Sequence, residues 1–138
     1  MKDLPVLAEL ACWLWPHHTT QEMQADLGEI MAKPDAAFFL AYVDKTAIGF
    51  AQCQLRHDYV EGTESSPVGY LEGIYVAEEF RKQGIARVLL TACECWAKTK
   101  GCTEFASDCE LSNVQSLQFH LNVGFEEANR IICFTKKL

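Results

Sequence analysis

At 138 residues, 49% of them hydrophobic, the chain has the length of one domain and enough apolar content to bury a single core. A formal net charge of −7 weighs against a nucleic-acid partner, whose phosphates reward a basic face; it suits a cationic small molecule, or is simply the mild acidity common among soluble proteins. No apolar run approaches the roughly 18 residues of a membrane span, Met1-Lys2-Asp3 lacks the plan of a signal peptide, and the seven cysteines form no CxxC pair that would indicate zinc or a disulfide framework. A cytoplasmic protein with reduced thiols, mostly in its core, is the expectation.

Leu4, Leu7, Leu10, Ala11 and Leu14 recur at helical spacing until Pro16-His17-His18 breaks the pattern, predicting a first helix. Thr19 and Glu22 have capping-box spacing, and Met23, Leu27, Ile30 and Met31 trace one face of a second helix that Lys33-Pro34 stops. Two apolar runs, Ala36 to Val43 and Ala47 to Leu55, joined by the polar Asp44-Lys45-Thr46, read as an antiparallel pair. Residues 56–67 carry Gly62, Ser65, Ser66 and Pro67 and read as an exposed loop before a third strand, Val68 to Val76. Ile85, Val88, Leu89, Ala92, Cys93 and Trp96 form the apolar face of the longest helix, with Gly101 as its stop. A strand from Cys102 to Asp108, a helix from about Asn113 to Val123 ended by Gly124, and a last strand from Asn129 to Thr135 complete the order ααβββαβαβ. This is an α+β sheet with one parallel crossover in a single domain, 1–138.

The chemistry concentrates in Gly69 to Arg87, GYLEGIYVAEEFRKQGIAR. Here a strand leads through a short loop into the longest helix. A helix's first turn has free N–H groups and a positive dipole end, so it can hold a pyrophosphate. Gly84 and the small Ala86 allow close approach, while Lys82 and Arg87 add charge. The alternative is an ordinary helix start with a solvated basic turn. Neither G-x-G-x-x-G nor G-K-[ST] is present, so Rossmann and Walker-type sites are not indicated.

The strand, the R-x-x-G-x-A loop at Arg81 to Ala86, the apolar helix, and the helix ending in Asn122-Val123-Gly124-Phe125 together resemble the GNAT acetyltransferase superfamily. The resemblance implies a mixed, splayed β-sheet flanked by helices, with acetyl-CoA as co-substrate. Its pyrophosphate would lie at Lys82, Gln83, Gly84, Ile85, Ala86 and Arg87, and its pantetheine arm along Ile74, Tyr75 and Val76. Leu71-Glu72-Gly73 suits the bulge that splays the strand from its neighbour. Trp15-Pro16-His17, Arg56 to Val60, Ser65-Ser66-Pro67, Leu71 to Ile74, Ala106-Ser107-Asp108 and Gly124 to Glu127 further resemble one subgroup of aminoglycoside 6'-N-acetyltransferases. Carried over residue by residue, Trp15, Tyr59, Glu72 and Asp108 resemble that subgroup's substrate contacts, and Asn113 a cofactor contact. Two features depart from the family pattern. A short strand normally precedes the first helix, whereas this chain opens almost at the helix, and an acidic contact in the last strand is here Asn129.

An aminoglycoside ammonium must lose a proton before it attacks a thioester, and Glu72 with Asp108, on adjacent strands, could take it directly or through water. The alternative is a buried structural acid at Glu72 and a loop-entry residue at Asp108. His120 lies four residues before Gly124, where the resemblance implies the tyrosine that in many GNAT enzymes protonates the departing thiolate; a histidine there either takes that role or caps the helix packing. Trp15 and Tyr59 offer faces for sugars and ammonium groups, or serve in packing. A cysteine nucleophile is disfavoured, because Cys93 and Cys95 diverge around a helix and Asp108 beside Cys109 would oppose a thiolate. His17-His18 is a weak metal signal, and no metal is required. The expectation is therefore acetyl transfer to an aminoglycoside 6'-amino group in a ternary complex. The alternatives are another small amine, a polyamine or peptide amine, or an inactive acyl-CoA-binding module. No nucleic-acid or membrane partner is expected; the resemblance implies a homodimer, since the family often pairs through its C-terminal strands, and Ile131, Ile132 and Phe134 would give such a contact apolar surface.

Overall fold

The computed structural model describes residues 3–138. Helix α1 (Leu4–Leu14) packs against α2 (Thr20–Met31), whose capping box forms as expected. Thr19 Oγ1 accepts from the Glu22 N–H at 3.1 Å, and the Glu22 carboxylate accepts from the Thr19 N–H at 3.2 Å. Strands β1 (Ala36–Val43), β2 (Thr46–Arg56) and β3 (Val68–Val76) form an antiparallel meander. Helix α3 (Ile85–Thr99) then crosses over to β4 (Phe105–Ser107), which lies parallel to β3, and α4 (Val114–Asn122) follows. A short 3-10 turn at Glu78–Phe80, absent from the sequence-based reading, links β3 to α3.

The sheet runs β1-β2-β3-β4 and is covered on both faces. Alternation along β2 sorts the two cores. Phe50 points toward α1 and α2, where Leu7, Leu10, Met23 and Leu27 surround it. Its neighbours Ala51 and Cys53 point the other way, into a cluster with Leu71, Leu89, Leu90 and Cys93 beneath α3. Val60, Val68 and Tyr70 form a third cluster that roots the loop between β2 and β3.

The bulge falls within Leu71-Glu72-Gly73, where the family resemblance placed it. Gln52 faces Gly73 and Cys53 faces Leu71, so Glu72 is the extra residue on β3. The extra residue inverts the alternation, so that Tyr70, opposite Gln54, and Tyr75, opposite Phe50, share one face despite their odd separation. Parallel pairing with β4 covers only Gly69, Tyr70 and Leu71, which explains why β4 is shorter than the expected 102–108.

The expected last strand, Asn129 to Thr135, is not formed. Ala128 lies against Gly62, and the Asn129 amide donates to Glu61 at 3.4 Å, but residues 130–138 find no ladder within the chain. Ile132 is 80% exposed and Phe134 87%. Strand-like patterning makes a strand only when the segment docks on a sheet edge, and here it docks on neither outer edge. The cysteines also depart from expectation: Cys53, Cys93 and Cys102 are buried, whereas Cys95, Cys109 and Cys133 are exposed. Among the described residues no strand precedes α1, β1 forms one sheet edge, and no helix is long and apolar enough to cross a membrane.

Candidate active site

The bulge at Glu72 and the end of β4 at Ser107 together open a gap in the sheet. Beyond Leu71, β3 stays paired with β2 on one side, while the edge that faced β4 is left without a neighbour through Val76. Five residues at about 3.3 Å each give about 16 Å of free backbone edge. Ile74, Tyr75 and Val76 lie on it, and the turn before α3 lies at its far end.

That turn has the form expected of an anion site. Gly84 is the N-cap of α3 at φ +84°, no side chain caps the helix, and a Cβ at Gly84 would meet nothing within 4 Å. Lys82 also adopts a positive φ of 64° and is exposed. The N–H groups of the first turn are therefore available in a concave backbone. The neighbouring arginines are otherwise engaged. Arg81 Nε donates to the Val76 carbonyl at 2.7 Å, closing the end of β3, and Arg87 Nη2 donates to the Asn122 carbonyl at 3.0 Å, tying α3 to α4. A groove of about 390 Å³ borders this turn from the β1 side, lined by Phe39 to Tyr42, Gln83 to Ile85 and Val88; it contains neither Glu72 nor Asp108.

The two faces of the gap differ in chemistry. On the α1/α2 face, Glu72 is clamped by Arg56: Oε1 accepts from Nη2 at 2.5 Å and Nε at 3.0 Å, and Oε2 accepts from Nη2 at 3.0 Å. The Arg56 guanidinium carbon lies 3.4 Å from the centre of the Tyr70 ring, a stacked cation–π contact. The Tyr70 hydroxyl donates to Asp108 Oδ2, so one network joins both predicted carboxylates. Burial, reinforced by the Asp108 carboxylate that its proton bonds, pushes the Tyr70 phenol above its usual value. Asp108 Oδ1 has no internal partner among the described residues and is open to a donor. Trp15 completes this wall. Its ring lies tilted against Phe50 at 6.0 Å and directly over Gly73, where a Cβ would sit 2.7 Å from it. The glycine therefore does more than permit a bulge: it makes room for the indole.

Tyr59 is 76% exposed on the loop held down by its buried neighbour Val60, so it is not a packing residue. Asn113 caps α4, its Oδ1 accepting from the Ser116 N–H at 3.1 Å. Asn129 meets Glu61 rather than the network.

On the α3/α4 face, Ser107 pairs with Leu71, whose side chain lies under α3, and His120 reaches it from α4. His120 Nε2 is 2.7 Å from Ser107 Oγ and Nδ1 is 2.6 Å from the Ser116 carbonyl. Phe119 and Phe125 flank the imidazole at 5.5 and 5.1 Å.

Residues 4–125, which include the splayed parallel pair and the uncapped glycine turn, match the acetyltransferase (GNAT) family model. The chain belongs to the GNAT acetyltransferase family. This GNAT chain is 45% identical over 124 residues to "Aminoglycoside N(6')-acetyltransferase type 1" of Salmonella typhimurium, covering 90% of itself and 86% of that relative. It is 42% identical over 137 residues to the protein of the same name from Stenotrophomonas maltophilia, covering 99% and 88%. A solved structure of AAC(6')-Iy in complex with the bisubstrate analogue CoA-S-monomethyl-acetylneamine superposes with a TM-score of 0.95 at 42% identity, covering 99% of this chain and 93% of that one. The 6'-N-acetyltransferase AAC(6')-Ih from Acinetobacter baumannii gives 0.93 at 39% identity over 99% and 93%.

Sequence reasoning assigned no role to Arg56, Tyr70 or Ser107. Each is a polar group within or at the end of a strand, and so was the available signal. Their partners lie 16, 38 and 13 positions away and are visible only in the fold.

Proposed function

We propose that this chain transfers the acetyl group of acetyl-CoA to the 6'-amino group of aminoglycoside antibiotics, as a cytoplasmic resistance enzyme whose single domain spans 1–138. The observation that carries the reading is the linked Glu72–Arg56–Tyr70–Asp108 network at one end of a free strand edge whose other end is an uncapped helix turn. An anion grip and a cation grip are thus held across one gap, and close relatives carry the same named activity.

Acetyl-CoA supplies an activated acetyl thioester. Residues Lys82 to Arg87 hold its pyrophosphate, chiefly through backbone N–H groups, since Arg87 is committed to Asn122. The open edge at Ile74, Tyr75 and Val76 pairs with the amides of its arm, as an added strand would. Asn113, at the α4 N-terminus, borders the same co-substrate. Trp15 and Tyr59 face the sugar rings, Glu72 accepts an ammonium alongside Arg56, and Asp108 offers Oδ1 to the reacting amine or its water. Holding amine and thioester within reach supplies most of the acceleration.

The protein also forms a homodimer in this reading. Residues 130–138 are unpaired and apolar at Ile131, Ile132 and Phe134, and β4 has an unpaired outer edge, so two copies can exchange these segments as added strands. A monomeric mass by light scattering at micromolar concentration would remove the dimer.

The functional reading is tested by thiol release from acetyl-CoA with a panel of aminoglycosides, polyamines and peptides. Kanamycin A and tobramycin, which carry a 6'-amino group, turn over, and a 6'-hydroxy analogue does not. Preference for a polyamine or peptide overturns the substrate, and acetyl-CoA binding without turnover leaves only a binding module.

A further inference from the structure

The contacts of His120 determine its tautomer. Nδ1 meets two Ser116 oxygens, the hydroxyl at 3.4 Å and the backbone carbonyl at 2.6 Å; a carbonyl only accepts, and at the much shorter distance it requires that Nδ1 carry a hydrogen in either charge state. In the neutral imidazole Nε2 is then a bare acceptor, and the contact at 2.7 Å is a hydrogen bond donated by the Ser107 hydroxyl. Neutral His120 therefore has no proton to give toward the gap, and it consumes the one that Ser107 has. When Nε2 is protonated the bond reverses. The N–H donates to Ser107 Oγ, and the hydroxyl hydrogen is released to point elsewhere.

Position indicates where it points. Ser107 is the last paired residue of β4, at the apex where the strands part. It lies on the α3/α4 face, across the sheet from Glu72 and Asp108. An acyl group carried along the free edge of β3 would meet that apex, with the carboxylates on one face and Ser107 on the other. Resting on the acetyltransferase reading, we propose that Ser107 is a catalytic residue that delivers the proton to the departing thiolate, with His120 behind it as the proton reservoir.

The step balances. The amine lone pair forms the C–N bond, and the C–S bond breaks with both electrons going to sulfur. Sulfur takes the Ser107 hydroxyl proton and Ser107 Oγ takes the Nε2 proton. His120 is left neutral, its Nδ1–H still on the Ser116 carbonyl. The surplus amine proton leaves on the opposite face through Asp108 or its water, and solvent restores the proton on His120. Phe119 and Phe125 hold the ring in place without competing for either nitrogen.

Two measurements test the relay. Side-chain nitrogen NMR of the protein without substrates reads the tautomer: neutral His120 carries its hydrogen on Nδ1, and Ser107→Ala shifts the Nε2 resonance while leaving Nδ1 in place. The single-turnover rate of acetyl transfer reads the chemistry. Ser107→Ala lowers it about 100-fold, Ser107→Thr retains most of it, and the thermal shift given by acetyl-CoA is unchanged. A hydrogen on Nε2 in the neutral form, or a wild-type rate in Ser107→Ala, overturns the proposal. Should Ser107→Ala misfold, His120→Gln must show the same rate loss with the acetyl-CoA thermal shift retained. A wild-type protein that acetylates no amine defeats the functional reading instead, and the tautomer is still measurable there.

Discussion

Gly73→Ala puts a single methyl group against the wall of the proposed amine site. The new Cβ would sit 2.7 Å from Cη2 and Cζ2 of Trp15 and 3.0 Å from Leu14 Cδ2, short of ordinary contact by 0.7 and 0.4 Å. The backbone at Gly73 has no positive φ, so the penalty is one of packing. The indole is backed by Phe50, which restricts its retreat. Overpacking of this kind costs about 1–3 kcal/mol. At about 3–5 °C per kcal/mol for a domain of this size, the melting temperature falls by roughly 3–15 °C. The displaced ring also weakens aminoglycoside binding, while the acetyl-CoA thermal shift is retained. A double-mutant cycle isolates the cause, because Trp15→Leu removes both clashing ring atoms and should reduce the cost of Gly73→Ala to less than half. An undiminished cost in the Trp15→Leu background refutes the argument.

Three further outcomes are expected. Gly84→Asn keeps a residue that tolerates positive φ but puts a side chain into the anion turn, so it folds yet loses the stabilisation of about 2.7 kcal/mol expected from acetyl-CoA at 100 times its Kd; a retained thermal shift places the pyrophosphate elsewhere. Glu72→Gln and Asp108→Asn lower kcat/KM for the amine and leave acetyl-CoA binding intact, and a parallel loss of acetyl-CoA affinity shows these residues to be misassigned. The Ser65 hydroxyl and the Glu64 N–H bond to Glu104 and hold its carboxyl below the ordinary 4.5. Its stabilisation is therefore present above that value and lost as pH falls through the lower folded one. Melting of Glu104→Gln should differ from wild type at pH 7 and converge with it in acid; a difference independent of pH removes this anchor.

Much of this protein was legible locally. The capping box at Thr19 and Glu22, the limits of β1 and β3 and the glycine turn before α3 depend on neighbours within a few residues, so periodicity and turn chemistry reveal them, whereas the bulge within Leu71 to Gly73 came from the family resemblance. The resemblance at Arg81 to Ala86 and Leu71 to Ile74 added the cofactor class and the acetyltransferase assignment. Tertiary structure decided what depends on partners far along the chain. Residues 129–135 have the pattern of a strand and form none within the chain although the outer edge of β4 is unpaired, because docking on an edge is a long-range event that a local pattern does not encode. Glu72 and Asp108 are 36 positions apart, and only the crossover through α3 sets them on one face, joined by Arg56 and Tyr70. His120 was visible in the sequence but its direction was not. A histidine's role follows from what each ring nitrogen meets, and the Ser116 carbonyl and Ser107 hydroxyl meet it only once α4 is packed against the end of β4.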